Sequence, residues 1–118
     1  MSDWVKDYFA DVDTMDIDAF LTHLTDDVVV NWANADPFVG KKAVAEAIGG
    51  LYQAIDAMQH ELVHVYDEGA EKIVEANVHY TRKDGRRVRV RAMTVLRRRD
   101  ELVDEARVFL DTAPVFEA

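Results

Sequence analysis

Asp84-Gly85 stands between two runs of alternating apolar residues, Ile73 to Arg82 and Arg87 to Arg97, and no other feature of the chain restricts its folding as tightly. A two-residue type I′ turn needs positive φ at both positions, which Asp-Gly supplies, so the segment predicts a β-hairpin. With Lys83 opposite Arg86, Thr81 pairs with Val88, His79 with Val90, Asn77 with Ala92 and Glu75 with Thr94. Paired residues share a face of the sheet. One face then carries Glu75, Asn77, His79, Val90, Ala92 and Thr94. The other carries Val74, Ala76, Val78, Tyr80, Arg89, Arg91, Met93 and Val95.

A second hairpin follows without a glycine. With Arg99-Asp100-Glu101 as a three-residue loop, Ala106 pairs with Thr94, Val108 with Ala92 and Leu110 with Val90, and Asp111 falls opposite Arg89. That register gathers apolar residues on one side, and a slip of one residue would scramble it. Ahead of the hairpins the pattern is helical. Trp4, Val5, Tyr8, Phe9 and Val12 form a stripe over Asp3 to Val12, and Asp16 is placed to cap a short helix with Ile17, Phe20, Leu21 and Leu24 on its apolar side. Val28 to Trp32 reads as a strand, Asp36 to Gly40 as a turn, and Lys41 to about Met58 as a third helix. Gly49-Gly50 inside that helix costs about 1 kcal/mol per glycine relative to alanine, which fits either close packing or a bend. Glu61 to Tyr66 is a further strand candidate, and Leu102 to Asp111 the last. Helices followed by a run of antiparallel strands predict an α+β fold.

The 118 residues fit one domain over 1–118, and with 49% hydrophobic and 31% charged residues the chain is ordinary for a globular protein. No apolar run approaches the roughly 20 residues that cross a bilayer. There is no cysteine, and the start at Met1-Ser2-Asp3-Trp4 has no signal-peptide pattern, so a cytoplasmic location is expected. The net charge is −9, unevenly spread. Arg82 to Arg99 holds nine basic residues against one acid, Asp84, so it carries +8 and the remainder −17. Such a strip suits an anion-binding face, or pairing within the fold or across a dimer; pairing is preferred, and the −17 elsewhere argues against nucleic acid.

Four segments carry a family resemblance: Tyr8 to Asp18, Thr25 to Val30, Val39 to Val44, and Arg107-Val108-Phe109-Leu110-Asp111. In order and spacing they are similar to SnoaL-like polyketide cyclases, ketosteroid isomerases and limonene epoxide hydrolases of the nuclear transport factor two-like superfamily. The resemblance implies a cone-shaped, curved, mostly antiparallel sheet wrapped by three N-terminal helices, a cystatin-like roll, usually dimeric and with an apolar cavity; the hairpin register itself offers a half-apolar outer sheet face, with Val78, Tyr80, Met93, Val95 and Phe109, for a homodimer. It also implies that a tyrosine donor of the isomerases stands at Tyr8. Their general base falls at Trp32 and their second acid near Thr94. The hydrolases' arginine and aspartate fall near Asn77 and His79, their tyrosine and asparagine at Val30 and Trp32, and their remaining aspartate at Val108. The cyclases' aspartate falls at Val108 as well. All three familiar catalytic sets are therefore missing, and fold likeness alone transfers no chemistry.

Among the residues themselves, Glu75, Asn77 and His79 are the most informative, because titratable side chains facing an apolar cavity are costly unless hydrogen-bonded or functional. Same-face neighbours on a strand lie about 6.6 Å apart, so Glu75 and His79 are roughly 13 Å apart and cannot touch. His79, with Glu75 near it and Tyr8 as a donor to a developing oxyanion, is the candidate acid-base machinery. Trp32, Asn77, Thr94, Val108 and Leu110 are the candidate ligand-binding residues. With the opposite parity the polar trio would be solvated surface. His60 and His64, four apart on a strand, are too distant to hold one ion alone, so neither a metal nor a cofactor is expected. Asp36 before Pro37 reads as turn chemistry, His23 as surface, and Asp111 as a partner of Arg89 or a cap for Thr112-Ala113-Pro114. These residues point to a pocket for a small hydrophobic molecule. They suit cofactor-independent isomerisation, cyclisation or hydration, with a non-catalytic ligand-binding module, or an interaction protein using the Arg82 to Arg99 face, as alternatives.

Overall fold

The apolar stripe at the start of the chain produces helix α1, Trp4–Asp13, with Val5, Tyr8 and Phe9 buried. The structure, a computed structural model, describes residues 4–117, so the predicted start at Asp3 lies outside the described residues. Met15, at φ 60, turns the chain into α2, Ile17–Leu21. Asp16 caps α2 as expected, its Oδ1 accepting from the amides of Asp18 (3.0 Å) and Ala19 (3.4 Å), an arrangement worth about 1 kcal/mol. Strand β1, Leu24–Trp32, leads through the two-residue strand β2, Phe38–Val39, to helix α3, Lys41–Ala54. Four long strands remain: β3 Ile55–Glu68, β4 Glu71–Arg82, β5 Arg87–Arg99 and β6 Leu102–Phe109. They precede a single helical turn, α4, Ala113–Phe116.

Two boundaries depart from the periodicity, both for the same reason. Ile55 and Met58 keep helical spacing with α3 yet belong to β3, where an irregularity between Ile55 and Ala57 lets residues three apart face the same side. Leu24 likewise fits the stripe of α2 but lies in β1, ahead of a register shift between Leu24 and Val29.

The six strands form one curved, open sheet in the order β2-β1-β6-β5-β4-β3, antiparallel except where β1 runs parallel to β6. The β4–β5 hairpin forms, but one residue away from the expected register. Thr81 pairs with Arg87, Val78 with Val90, Ala76 with Ala92 and Val74 with Thr94. Gly85 alone has positive φ (87°), and its amide bonds to Arg82 O at 2.9 Å while the Arg82 amide bonds to Arg86 O. The loop is therefore Lys83-Asp84-Gly85, a turn closed by a left-handed glycine. The extra residue reverses β4. Val78 and Tyr80, expected outside, are buried at 1% exposure, and Glu75, Asn77 and His79, expected inside, lie on the outer face.

The β5–β6 connection corrects in the other direction. Arg99 pairs with Leu102, so Asp100-Glu101 is a two-residue turn, with both residues at positive φ (52° and 70°). An irregularity between Arg97 and Arg98 then sets Leu96 against Ala106 and Thr94 against Val108, two residues from the expected pairing. A shift of two preserves the face, so Ala106 and Val108 still point inward. Asp111 does not meet Arg89; its Oδ1 accepts from the amide of Ala113 at 2.9 Å, the capping alternative.

The basic strip is consumed mainly within the fold. Arg82 and Arg86 pair with Asp84, Lys83 with Asp56, Arg97 with the buried Asp104 at 2.9 Å, and Arg99 with Asp27 at 2.7 Å. The Arg98 guanidinium lies 4.5 Å from the centre of the Trp4 ring. Arg87, Arg89 and Arg91 form no ion pair among the described residues and are exposed on the outer face.

Each non-glycine residue in the left-handed region costs roughly 1–2 kcal/mol, partly offset by glycine's own entropic penalty. Replacing Asp100→Asn and Glu101→Gly together is expected to raise the unfolding free energy by about 1 kcal/mol, read as a higher urea midpoint at unchanged slope. Separately, hydrogen bonds from Arg99 hold the Asp27 carboxyl at about 2. Because that value is depressed, the pair's contribution is present above the ordinary carboxylate range and fades between about pH 4 and pH 2. An NMR titration is expected to show Asp27 ionising near 2, and near the ordinary value in Arg99→Gln.

Candidate active site

The concave face of the sheet, α1 and the second half of α3 enclose an apolar cavity. Its volume is about 50 Å³. Its helical wall is Tyr8, Phe9 and Val12 of α1 with Ile48, Leu51 and Tyr52 of α3. Alternate positions of the strands supply the rest, because inward residues recur every second position.

Tyr8, Trp32, Thr94, Val108 and Leu110 line the cavity. Asn77, Glu75 and His79 do not. On the outer face, His79 Nε2 lies 3.0 Å from Glu61 Oε1, and Asn77 Nδ2 donates to the same oxygen at 3.3 Å. These two bonds hold the Glu61 carboxyl below the usual range. The His79 side chain is 47% exposed. Glu75 is not part of that cluster; it sits opposite Met93.

A pair the sequence did not single out occupies the wall instead. His60, inward on β3, reaches Asp13 at the end of α1, with Nδ1 2.6 Å from Oδ1. The other oxygen, Oδ2, accepts from the His60 backbone amide at 2.7 Å. β3 is an edge strand, so this carboxylate also satisfies a donor that no neighbouring strand takes. The side chains are 10% and 18% exposed, and the His60 ring packs against Phe9 at 4.5 Å between centres. A carboxylate at Nδ1 fixes the tautomer with the proton there and leaves Nε2 as the acceptor. Asp13 also borders an open depression with Gln59, His79 and Arg89, so it stands between cavity and solvent.

Three tyrosines line the same cavity. Burial pushes the phenols of Tyr8, Tyr52 and Tyr80 well above their ordinary value, reinforced by Tyr52 beside Tyr8, by Asp13 and Asp16 around Tyr52, and by Asp13 near Tyr80. All three stay neutral and act only as hydrogen-bond groups. The Tyr52 hydroxyl donates to Val12 O at 2.8 Å. Tyr8 and Tyr80 have no hydrogen-bond acceptor among the described residues, which leaves their hydroxyls for whatever occupies the cavity. A second aspartate–histidine pair, Asp11 and His23 at 2.6 Å, lies outside the cavity, with the His23 ring edge-on to Tyr8. Among the described residues no group of three or more His, Cys, Asp or Glu side chains could hold a metal ion.

A profile of the SnoaL-like domain matches residues 5–106. The chain belongs to the SnoaL-like domain family. Solved structures agree on the fold. A nuclear transport factor two-like protein of unknown function from Burkholderia pseudomallei K96243 superposes with a TM-score of 0.86 at 17% identity, covering 97% of this chain and 95% of that one. SalBIII, an epoxide hydrolase/cyclase-like enzyme in pyran ring formation of the polyether salinomycin, gives 0.80 at 22% identity over 92% and 88%. An epoxide hydrolase of the limonene epoxide hydrolase-like type from M. tuberculosis gives 0.79 at 17% identity over 95% and 83%. No curated protein matches the sequence.

Within this SnoaL-like domain, the positions to which the resemblance assigns catalytic carboxylates or water-binding groups are at the cavity but carry no charge: Val30, Trp32, Thr94 and Val108. The strand positions near Asn77 and His79 face outward, and their inward neighbours Ala76, Val78 and Tyr80 bring no arginine or aspartate. The titratable pair at this cavity comes instead from β3 and α1. A signal for His60 existed, since Met58, His60 and Leu62 alternate, but it appears only once β3 is seen to begin at Ile55.

Proposed function

We propose that this SnoaL-like domain binds a small, slender, mostly apolar molecule bearing a carbonyl or comparable oxygen and performs acid-base chemistry on it. The observation that carries the reading is the Asp13–His60 pair at the wall of an apolar cavity, 2.6 Å between Oδ1 and Nδ1. His60 Nε2 takes a proton from the bound molecule or from water, and Asp13 stabilises the imidazolium that results. Tyr8 and Tyr80, kept neutral by burial, donate to the oxygen on which negative charge develops. Isomerisation, cyclisation and hydration all fit this set of groups. His79 and Glu75, on the outer face, stand outside the mechanism proposed here.

The narrow cavity and the uncharged residues at Trp32, Thr94 and Val108 also support a ligand-binding module without chemistry. The two readings separate in one experiment. Slender aromatic and terpenoid ketones, phenols and epoxides are screened for binding by NMR, and binders are followed for turnover. His60→Gln is expected to keep binding and lose roughly 10²- to 10⁴-fold in turnover, with a smaller loss in Asp13→Asn. Turnover unchanged in His60→Gln would falsify the catalytic reading, and binding with no turnover in the parent leaves the module.

As partner we propose a second copy of this chain, seated on the outer sheet face. That face joins exposed Tyr66, Met93 and Phe109 to the unpaired Arg87, Arg89 and Arg91, a mixture suited to burial against itself. Sedimentation is expected to give a dimer for the parent and a folded monomer for Phe109→Glu with Met93→Glu. A monomeric parent removes the idea.

A further inference from the structure

Gly49 and Gly50 occupy the middle of α3 without any of the usual reasons for glycine. Neither has positive φ, and a Cβ built on either meets nothing within 4 Å. The close-packing explanation is therefore excluded, and the helix forgoes the propensity of two alanines for no gain in the closed structure. Local choices that oppose the fold without a packing reason are expected where function requires movement.

The position of the pair says what would move. Val44, in the first half of α3, is fully buried in the core cluster that α1 and α2 share with β1. Tyr52, in the second half, belongs to a different cluster with Ile55, Met58, Val78 and Tyr80. Ile48 touches both clusters, immediately before the glycines. Ile48, Leu51 and Tyr52 all line the cavity, so the break lies in its helical wall. At its far end α3 passes directly into β3, where the irregularity between Ile55 and Ala57 offers a place to absorb a change of angle. One hydrogen bond, Tyr52 hydroxyl to Val12 O, fastens this half to α1.

We infer that Gly49-Gly50 is a hinge, and that the segment Leu51 to Ala54 is the gate through which a ligand reaches the cavity. Leu51 and Tyr52 form part of the helical wall of the cavity, so a movement of this segment changes the access that a ligand has to it. Bending at the glycines carries Leu51 and Tyr52 outward while Val44 holds the first half in place. The inference concerns access and does not depend on whether chemistry follows.

Gly49→Ala, Gly50→Ala and the double substitution test it, with 2-naphthol as a slender fluorescent probe. Alanine favours the straight helix over the bent one. Probe association and dissociation are therefore both expected to slow, by roughly fivefold per alanine, with the dissociation constant little changed and the denaturation midpoint raised. Unchanged rates in variants that are folded and more stable would overturn the hinge. Hydrogen exchange along α3 gives a readout that needs no ligand. In the parent, Leu51 to Ala54 is expected to exchange faster than Val44 to Ile48, and the difference to shrink in the double variant. Equal protection along the whole helix in the parent overturns the hinge as well. A parent that takes up no probe but shows the uneven exchange refutes the ligand pocket while upholding the hinge.

Discussion

Gly85 closes a three-residue turn at φ 87, and because strand side chains alternate, that single extra residue decides what the cavity is made of. It sends Val74, Ala76, Val78 and Tyr80 inward to meet Thr94, Ala92, Val90 and Val88. A two-residue turn at the same place would have buried Glu75, Asn77 and His79 and exposed a tyrosine and three aliphatic or small residues. The cost of those buried polar groups selects the observed register. The apolar cavity, the neutral tyrosines and the polar outer face all follow from it.

Within that apolar setting one charged group is tolerated because it is fully engaged. Asp13 gives one oxygen to the His60 ring and the other to the His60 amide, so the carboxylate stabilises an edge strand, orients an imidazole and links α1 to β3. Arg97–Asp104 follows the same logic, with two hydrogen bonds from one guanidinium to a carboxylate next to an irregularity in the sheet.

The same economy explains the ends of the basic strip. Arg82 donates to the carbonyls of Pro114 and Glu117 and so holds α4 in place, while Arg98 and Arg99 bind Trp4 and Asp27 at the opposite end of the hairpin. Among the described residues, Arg87, Arg89 and Arg91 in the middle of the strip form no ion pair and face outward. Charge density in the sequence thus overstates the charge offered to a partner.

Local chemistry determined much by itself. The stripe of α1, the cap at Asp16, the turn-strand-turn rhythm after Gln59 and the inward face of β5 were legible because each depends on neighbours within a few residues. Thr94 and Val108 were kept on the inward face, since an error of two residues in register preserves the face. Glu75, Asn77 and His79 were not, since an error of one reverses it. Asp84-Gly85 satisfies both a two-residue and a three-residue turn, and the choice rests on burial across the whole sheet, not on the pair. Asp13 and His60 are 47 residues apart, one at the end of a helix and the other on a strand whose start imitates helical period. Their meeting at the cavity wall is a product of tertiary packing alone, because only the folded sheet brings that edge strand beside the last turn of α1.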